Sequence, residues 1–168
     1  MDKTKKQWSI NEAMKIKIKK LNQQAIIPSY QTPQAAGFDL HTLYGGIIKA
    51  GERAVVETGL AFEIESGYEV QVRPRSGLAL KNGISVLNTP GTIDSDYRGE
   101  IKVILINHSN EDFVFQSGDR IAQAVVCLVH QAELEEVETL VQSVRGERGF
   151  GSSGLAQKGQ YQNPQESL

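Results

Sequence analysis

From Met14 the chain alternates: Met14, Ile16 and Ile18 are apolar, while Lys15, Lys17 and Lys19 are charged. A period of two marks a strand with one buried face, here with a cationic outer face. Beyond it the apolar positions fall into short clusters at Ala25–Ile27, Phe38–Thr42, Arg53–Glu57, Leu60–Ile64, Tyr68–Arg73, Ile84–Leu87, Glu100–Ile106, Asp112–Phe115 and Ile121–Val129. Turn formers stand between them: Gly45-Gly46, Gly51, Ser66-Gly67, Asn82-Gly83, Pro90-Gly91, Ser109-Asn110 and Ser117-Gly118, residues that either tolerate or impose turn geometry. One brief helical pattern, Leu78–Lys81, follows Arg75-Ser76-Gly77. Short strands punctuated in this way predict an all-β fold, a sandwich or barrel of the jelly-roll kind.

The two ends differ from this body. Residues 1–13 are polar and lysine-rich, with Trp8 and Ile10 as isolated apolar points, and read as a basic arm. Residues 145–168 are rich in Gly, Ser and Gln with little apolar content, too little to order by burial alone. Yet Arg145, Arg148 and Phe150 lie within this stretch. Guanidinium groups, free backbone amides and a ring suit a segment that orders over a phosphorylated, stackable ligand. The expected organisation is an arm over 1–13, a β domain over 14–144, and a glycine-rich, flexible C-terminal lid and tail over 145–168.

A chain of 168 residues suits one domain and needs no disulfide or metal to hold it. Its net charge of −2 conceals an asymmetry. The first 20 residues hold seven lysines against Asp2 and Glu12, and the remaining 148 hold 11 basic and 18 acidic residues. So acidic a body is a poor footprint for nucleic acid, and an anionic ligand must be met by basic residues placed locally. The longest apolar run, Ala124–Val129, falls far short of the ~20 residues that span a bilayer, so neither nucleic acid nor membrane is an expected partner. The basic N-terminus lacks the apolar stretch of a secretory leader. Cys127 is the single cysteine. It reads as a buried structural thiol, and the setting as cytoplasmic. His41, His108 and His130 have no metal-ligand spacing and read as packed or solvated side chains.

Four further constellations carry possible chemistry. In Arg73-Pro74-Arg75-Ser76-Gly77-Leu78 a strand ends at a proline-locked turn leading into the short helix. Amides and an arginine fork there suit a phosphate oxygen, as a plain surface turn would also explain. In Gly91-Thr92-Ile93-Asp94-Ser95-Asp96-Tyr97-Arg98-Gly99 two acids stand two residues apart. One is a candidate general base and the other a partner for Arg98, against the plainer reading of an acidic loop. Asp39 is an isolated acid within the apolar strand Ala36–Leu40, costly unless paired or metal-bound. Asp119-Arg120, in Gly118–Gln123, reads as a turn-stabilising pair.

In order and spacing these segments resemble the five motifs of the trimeric dUTPase family. Ala36–Leu40 looks like the first, Pro74–Leu78 the second, Gly91–Gly99 the third, Gly118–Gln123 the fourth and Arg145–Gly154 the fifth. The resemblance implies a jelly-roll-like β-clip fold, a homotrimer with active sites shared between subunits, and Mg²⁺-dependent hydrolysis of dUTP to dUMP and pyrophosphate. That reaction limits uracil in DNA and supplies dUMP for dTMP synthesis. By the same resemblance Asp94 activates the attacking water and contacts the deoxyribose 3′-OH, and Tyr97 packs under the sugar where a 2′-OH would clash. Asn88 and the backbone at Thr92 and Ile93 form a uracil-reading hairpin, and Lys102 is a further substrate contact. Arg75, Ser76 and Gly77 form the phosphate turn, and Gln123 is the amide near the α-phosphate and catalytic water. Asp39 holds the hydrated Mg²⁺ through water. Arg145 with Ser152 and Ser153 contacts the γ-phosphate, and Phe150 and Gly151 close over the base. Arg148 and Ser153 depart from the usual glycine and threonine. Two alternatives remain open: a dCTP deaminase of the same fold, which needs a glutamate not evident beside Asp94, and a trimeric regulatory or binding protein, for which the basic arm is the motive.

Overall fold

A computed structural model describes residues 14–149. The chain divides into two compact units between Gln131 and Ala132. The described part of the first unit is all-β with one short helix: β1 Lys17–Lys20, β2 Gly37–His41, β3 Gly46–Ile48, β4 Arg53–Glu63, β5 Tyr68–Arg73, α1 Ser76–Asn82, β6 Ile84–Val86, β7 Gly91–Ile93, β8 Glu100–Asn107, β9 Phe113–Phe115 and β10 Arg120–Leu128. One four-stranded sheet runs β1-β4-β8-β6, another β2-β10-β5-β7, and β3 pairs with β9. The pairings are antiparallel, so each sheet can bury one face and wet the other. Ile101, Val103 and Leu105 of β8 point inward while Lys102 points out. A single apolar cluster draws on both four-stranded sheets. Within it Phe38 of β2 meets Phe62 of β4 edge-on, with ring centroids 6.3 Å apart. Among the described residues no helix is long and apolar enough to cross a membrane.

Most predicted strands are present, and the departures have local causes. Ala25–Ile27 is not a strand. Ala25 closes a turn through its N–H to the carbonyl of Asn22 (3.0 Å), and Pro28, two residues beyond exposed Ile26, has no N–H for a ladder. Gly46 is not turn punctuation but the first residue of β3. A Cβ there would lie 2.8 Å from the Phe115 ring, so the glycine is required by the ring packed on it. The two predicted strands Arg53–Glu57 and Leu60–Ile64 are one strand, β4, interrupted by a register shift between Glu57 and Ala61 against β8. Gly59 takes a φ of 68° at this irregularity. Its N–H donates to Glu100 Oε1 (2.9 Å), and Thr58 donates to the Ile101 carbonyl (2.6 Å). The segment around Gly91, read as a turn, is strand β7, and α1 runs longer than Leu78–Lys81.

Asn107 is fully buried at the end of β8. Its amide donates to the carbonyls of Ile48 (2.9 Å) and Glu111 (2.8 Å), and its Oδ1 accepts from the N–H (2.9 Å) and hydroxyl (2.7 Å) of Ser109. One side chain thus ties β3 to the β8–β9 loop. Replacing it by alanine leaves buried groups unpaired, each costing about 1–3 kcal/mol. Asn107→Ala is therefore expected to lower unfolding free energy by about 2–4 kcal/mol, measured by urea titration.

Candidate active site

The outer face of the β2-β10-β5 layer carries a row of polar side chains fixed by register. Gln123 of β10 stands opposite Asp39 of β2 and Arg73 of β5. Directly opposed residues point to the same face, and their side chains meet. A β-bulge between Arg120 and Ala122 shifts the alternation. Ile121 and Ala122 are consecutive and both buried, which leaves Arg120 and Gln123 together on the outer face. An extra residue in one strand re-aims its side chains.

Arg120 and Asp39 therefore meet. The Asp39 carboxylate accepts from Arg120 Nη1 through Oδ2 (3.2 Å) and from Arg75 Nε through Oδ1 (3.0 Å). Arg75 also donates through Nη1 to the Arg120 carbonyl (2.8 Å). The three residues close a ring around one acid, and the expected Asp119-Arg120 pair does not form. Asp119 instead caps its own turn, accepting from the Gln116 N–H (2.8 Å), with Gly118 at a φ of 87° as such a turn requires. Gln123 donates to the Pro74 carbonyl (2.8 Å) and so holds the turn that presents Arg75.

That turn leads into α1. Arg75 is its N-cap, Ser76 and Gly77 are exposed in its first turn, and no side chain caps it. A Cβ on Gly77 would meet nothing within 4 Å. His41, two residues beyond Asp39, faces the same cluster, and its Nδ1 is buried without a partner among the described residues. Burial, opposed by Asp39 and reinforced by Arg120 and Arg75, lowers its pKa below the ordinary histidine value.

The second group lies on the β6–β7–β8 connections. β6 pairs with β8 and β7 with β5, so the segment between them crosses from one sheet to the other rather than forming a paired hairpin. Asn88 sits in that crossing, with its amide over Gly91. β7 is an edge of its sheet, which leaves one side of its backbone unpaired among the described residues. Thr92 is exposed and Ile93 buried. After β7 the chain turns at Asp94, whose carbonyl accepts from the Tyr97 N–H (3.2 Å). Arg98 is held not by an acid but by the carbonyls of Ser95 (2.7 Å) and Tyr97 (3.0 Å). Asp94 and Asp96 are both exposed. No hydrogen bond or ion pair links this loop to the Asp39–Arg75–Gln123 group among the described residues.

Lys102 lies on β8, paired with Glu57 (2.7 Å) and Glu100 (3.3 Å). Hydrogen bonds to these two acids raise its pKa. In the second unit, Arg145 donates through Nε to the Arg148 carbonyl (2.8 Å), and Arg148 returns the bond through its own Nε (2.9 Å). Phe150, Gly151, Ser152 and Ser153 lie outside the described residues, as does the arm over 1–13.

The Asp39 carboxylate has acceptor capacity left after its two guanidinium bonds. No group of three or more His, Cys, Asp or Glu is placed to hold an ion among the described residues. This donor set does not suit a cation held by protein alone.

The model of the dUTPase family matches residues 23–154. Among curated relatives, the deoxyuridine 5′-triphosphate nucleotidohydrolase of Helicobacter hepaticus is 76% identical over 149 residues, 89% of this chain and 94% of that protein. Its counterpart from Nautilia profundicola is 70% identical over 84% of this chain and 99% of its own length. Among solved structures, the Staphylococcus bacteriophage 80alpha dUTPase with dUPNHPP superposes with a TM-score of 0.78 at 27% identity, covering 84% of this chain and 99% of that one. Fold and matches together define the class, an all-β hydrolase of nucleotide metabolism. The chain belongs to the dUTPase family.

The Arg75–Asp39–Arg120 ring has a measurable signature. Asp39→Ala leaves two guanidiniums facing each other without a counter-charge and is expected to lower unfolding free energy by about 1–3 kcal/mol. Adding Arg120→Ala should recover part of that loss, a coupling read from a double-mutant cycle in urea.

Proposed function

We propose that Asp94 is the general base for dUTP hydrolysis in this enzyme, at a site that three copies of the chain complete. The observation that carries the reading is the contrast between two acids. Asp39 is engaged by two guanidiniums, whereas the exposed Asp94 carboxylate accepts no hydrogen bond from any described residue. Acids in opposed surroundings take opposed roles. Asp94 takes a proton from water as the water oxygen bonds to the α-phosphorus. The bond from that phosphorus to the α,β-bridging oxygen breaks, and pyrophosphate leaves dUMP behind.

The remaining residues bind and orient. Arg75, the Ser76 hydroxyl and the amides at Ser76 and Gly77 meet phosphate oxygens over the open space above Gly77, and Gln123 holds their turn and the water. The free edge of β7, with Asn88 and the backbone of Thr92 and Ile93, pairs with the uracil. Tyr97 floors the deoxyribose. Arg145, Phe150, Gly151, Ser152 and Ser153 close over the nucleotide and exclude bulk water. Asp39 would hold a hydrated Mg²⁺, which when bound would supply neutralisation of charge on the triphosphate.

Two observations support sharing of the site between copies. Among the described residues, the loop bearing Asp94 makes no polar link to the Asp39–Arg75–Gln123 cluster. The second unit leaves aliphatic side chains bare, with Leu134 93%, Leu140 86%, Val141 97% and Val144 99% exposed. Such a row in a soluble enzyme calls for a partner surface, and a second copy of the chain is the simplest. The lone cysteine supports a cytoplasmic setting.

Pyrophosphate release measured with dUTP, dTTP, dCTP and UTP side by side should be confined to dUTP, and ammonia from dCTP would favour the deaminase instead. Asp94→Asn is expected to reduce kcat by about 10²–10⁴-fold with little change in KM; near-normal turnover would remove Asp94 from its role. A chain ending at Val144 should keep its trimeric mass by light scattering yet lose most turnover, and full activity would refute closure by the tail.

A further inference from the structure

We infer that Gly99 is a positioning residue for substrate choice: its missing side chain is the seat that sets the height of the Tyr97 ring, and through it the preference for deoxyribose over ribose. The inference rests on the reading of Tyr97 as the ring beneath the sugar. It adds a residue to which neither the motif comparison nor the chemistry above assigns a role.

The backbone under the ring is held at several points. The Tyr97 N–H donates to the Asp94 carbonyl (3.2 Å), and Arg98 donates to the carbonyls of Ser95 (2.7 Å) and Tyr97 (3.0 Å). The phenol folds back along the chain, and its hydroxyl donates to the Glu100 carbonyl (3.1 Å). In this arrangement the ring lies directly on Gly99. A Cβ at that position would stand 2.6 Å from Tyr97 Cζ and 3.0 Å from Cε2, and closer still to the phenol oxygen. Non-bonded carbons settle at roughly 3.5–4.0 Å, so the ring would have to move by about an ångström.

Glycine is needed at a position either for its backbone freedom or for its lack of volume. Gly99 is absent from the glycines with positive φ, so its backbone conformation is open to alanine. The three atoms nearest to the added Cβ all belong to the Tyr97 ring. The ring itself is 45% exposed and has solvent to move into. An alanine at this position therefore displaces the ring without straining the backbone or repacking the core. Rejection of a substrate bearing one extra hydroxyl is a matter of fit, because a pocket wall in the wrong place loses most of its discrimination. A ring swung outward into solvent no longer excludes the 2′-OH, so UTP is admitted and the gap between the two narrows.

The test compares wild type, Gly99→Ala, Tyr97→Ala and the double variant by kcat/KM for dUTP and UTP, with thermal melting alongside. Gly99→Ala is expected to shrink the dUTP:UTP ratio by about tenfold or more while the melting midpoint stays near wild type. In the Tyr97→Ala background the same change should do nothing further, because the atoms it collides with are gone. A wild-type ratio in Gly99→Ala overturns the inference, as does a further loss in the double variant. Should Gly99→Ala melt early, the double variant is expected to regain the midpoint of Tyr97→Ala, and failure to do so also overturns it. If Tyr97→Ala itself keeps the wild-type ratio, the reading of Tyr97 falls and the inference falls with it. That result is distinct from one in which Tyr97 matters and Gly99 does not.

Discussion

Much of the candidate site depends on one irregularity in β10. This strand is hydrogen-bonded on both sides, to β2 and to β5, so its register decides what stands on the outer face of the sheet. In an unbroken strand Arg120 and Gln123 would point to opposite faces. The bulge lets Ile121 and Ala122 both enter the core and restores the outward phase at Gln123. Asp39, Arg75, Arg120 and Gln123 gather in one place because of that single extra residue. A ladder without it would put either an arginine or a glutamine into an apolar interior, at a cost that few folds sustain.

Chemical differentiation follows from that geometry. The acid of β2 sits between two guanidinium groups, fixed and neutralised, while the acid after β7 stands in open solvent at the edge of its sheet. The first is locked by ion pairs, and the second is open to water. The former stands on β2 beside the central strand β10, the latter on a loop held by arginine-to-carbonyl bonds. The division is sensible, because charge clusters need tight distances whereas a base needs access.

Much of this was legible in the residue pattern. The alternation in β5 and β8 and the turn residues between strands gave the all-β class because the antiparallel sheets here wet one face. The elements missed are those whose cause is tertiary. Gly46 reads as a turn until the Phe115 ring is seen on it, and β7 is three residues long, below what periodicity can report. Sequence proximity pairs Arg120 with Asp119, but the bulge, a tertiary feature, turns it to Asp39 instead. His41 is the packed histidine the sequence suggests, and its spacing of two from Asp39 puts both on one strand face. The motif residues Asp39, Arg75 and Gln123 came together as adjacent strands require. Asp94 and Tyr97 share no hydrogen bond or ion pair with them among the described residues.

The lysines of β1 have a different consequence. This strand is one edge of the β1-β4-β8-β6 sheet, unpaired on its outer side among the described residues, with Lys17, Lys19 and Lys20 exposed along it. An uncovered edge is a template on which stray strands can grow, and lysine is the residue that most often blunts one. The cationic outer face of this strand thus also opposes edge-to-edge pairing with other chains.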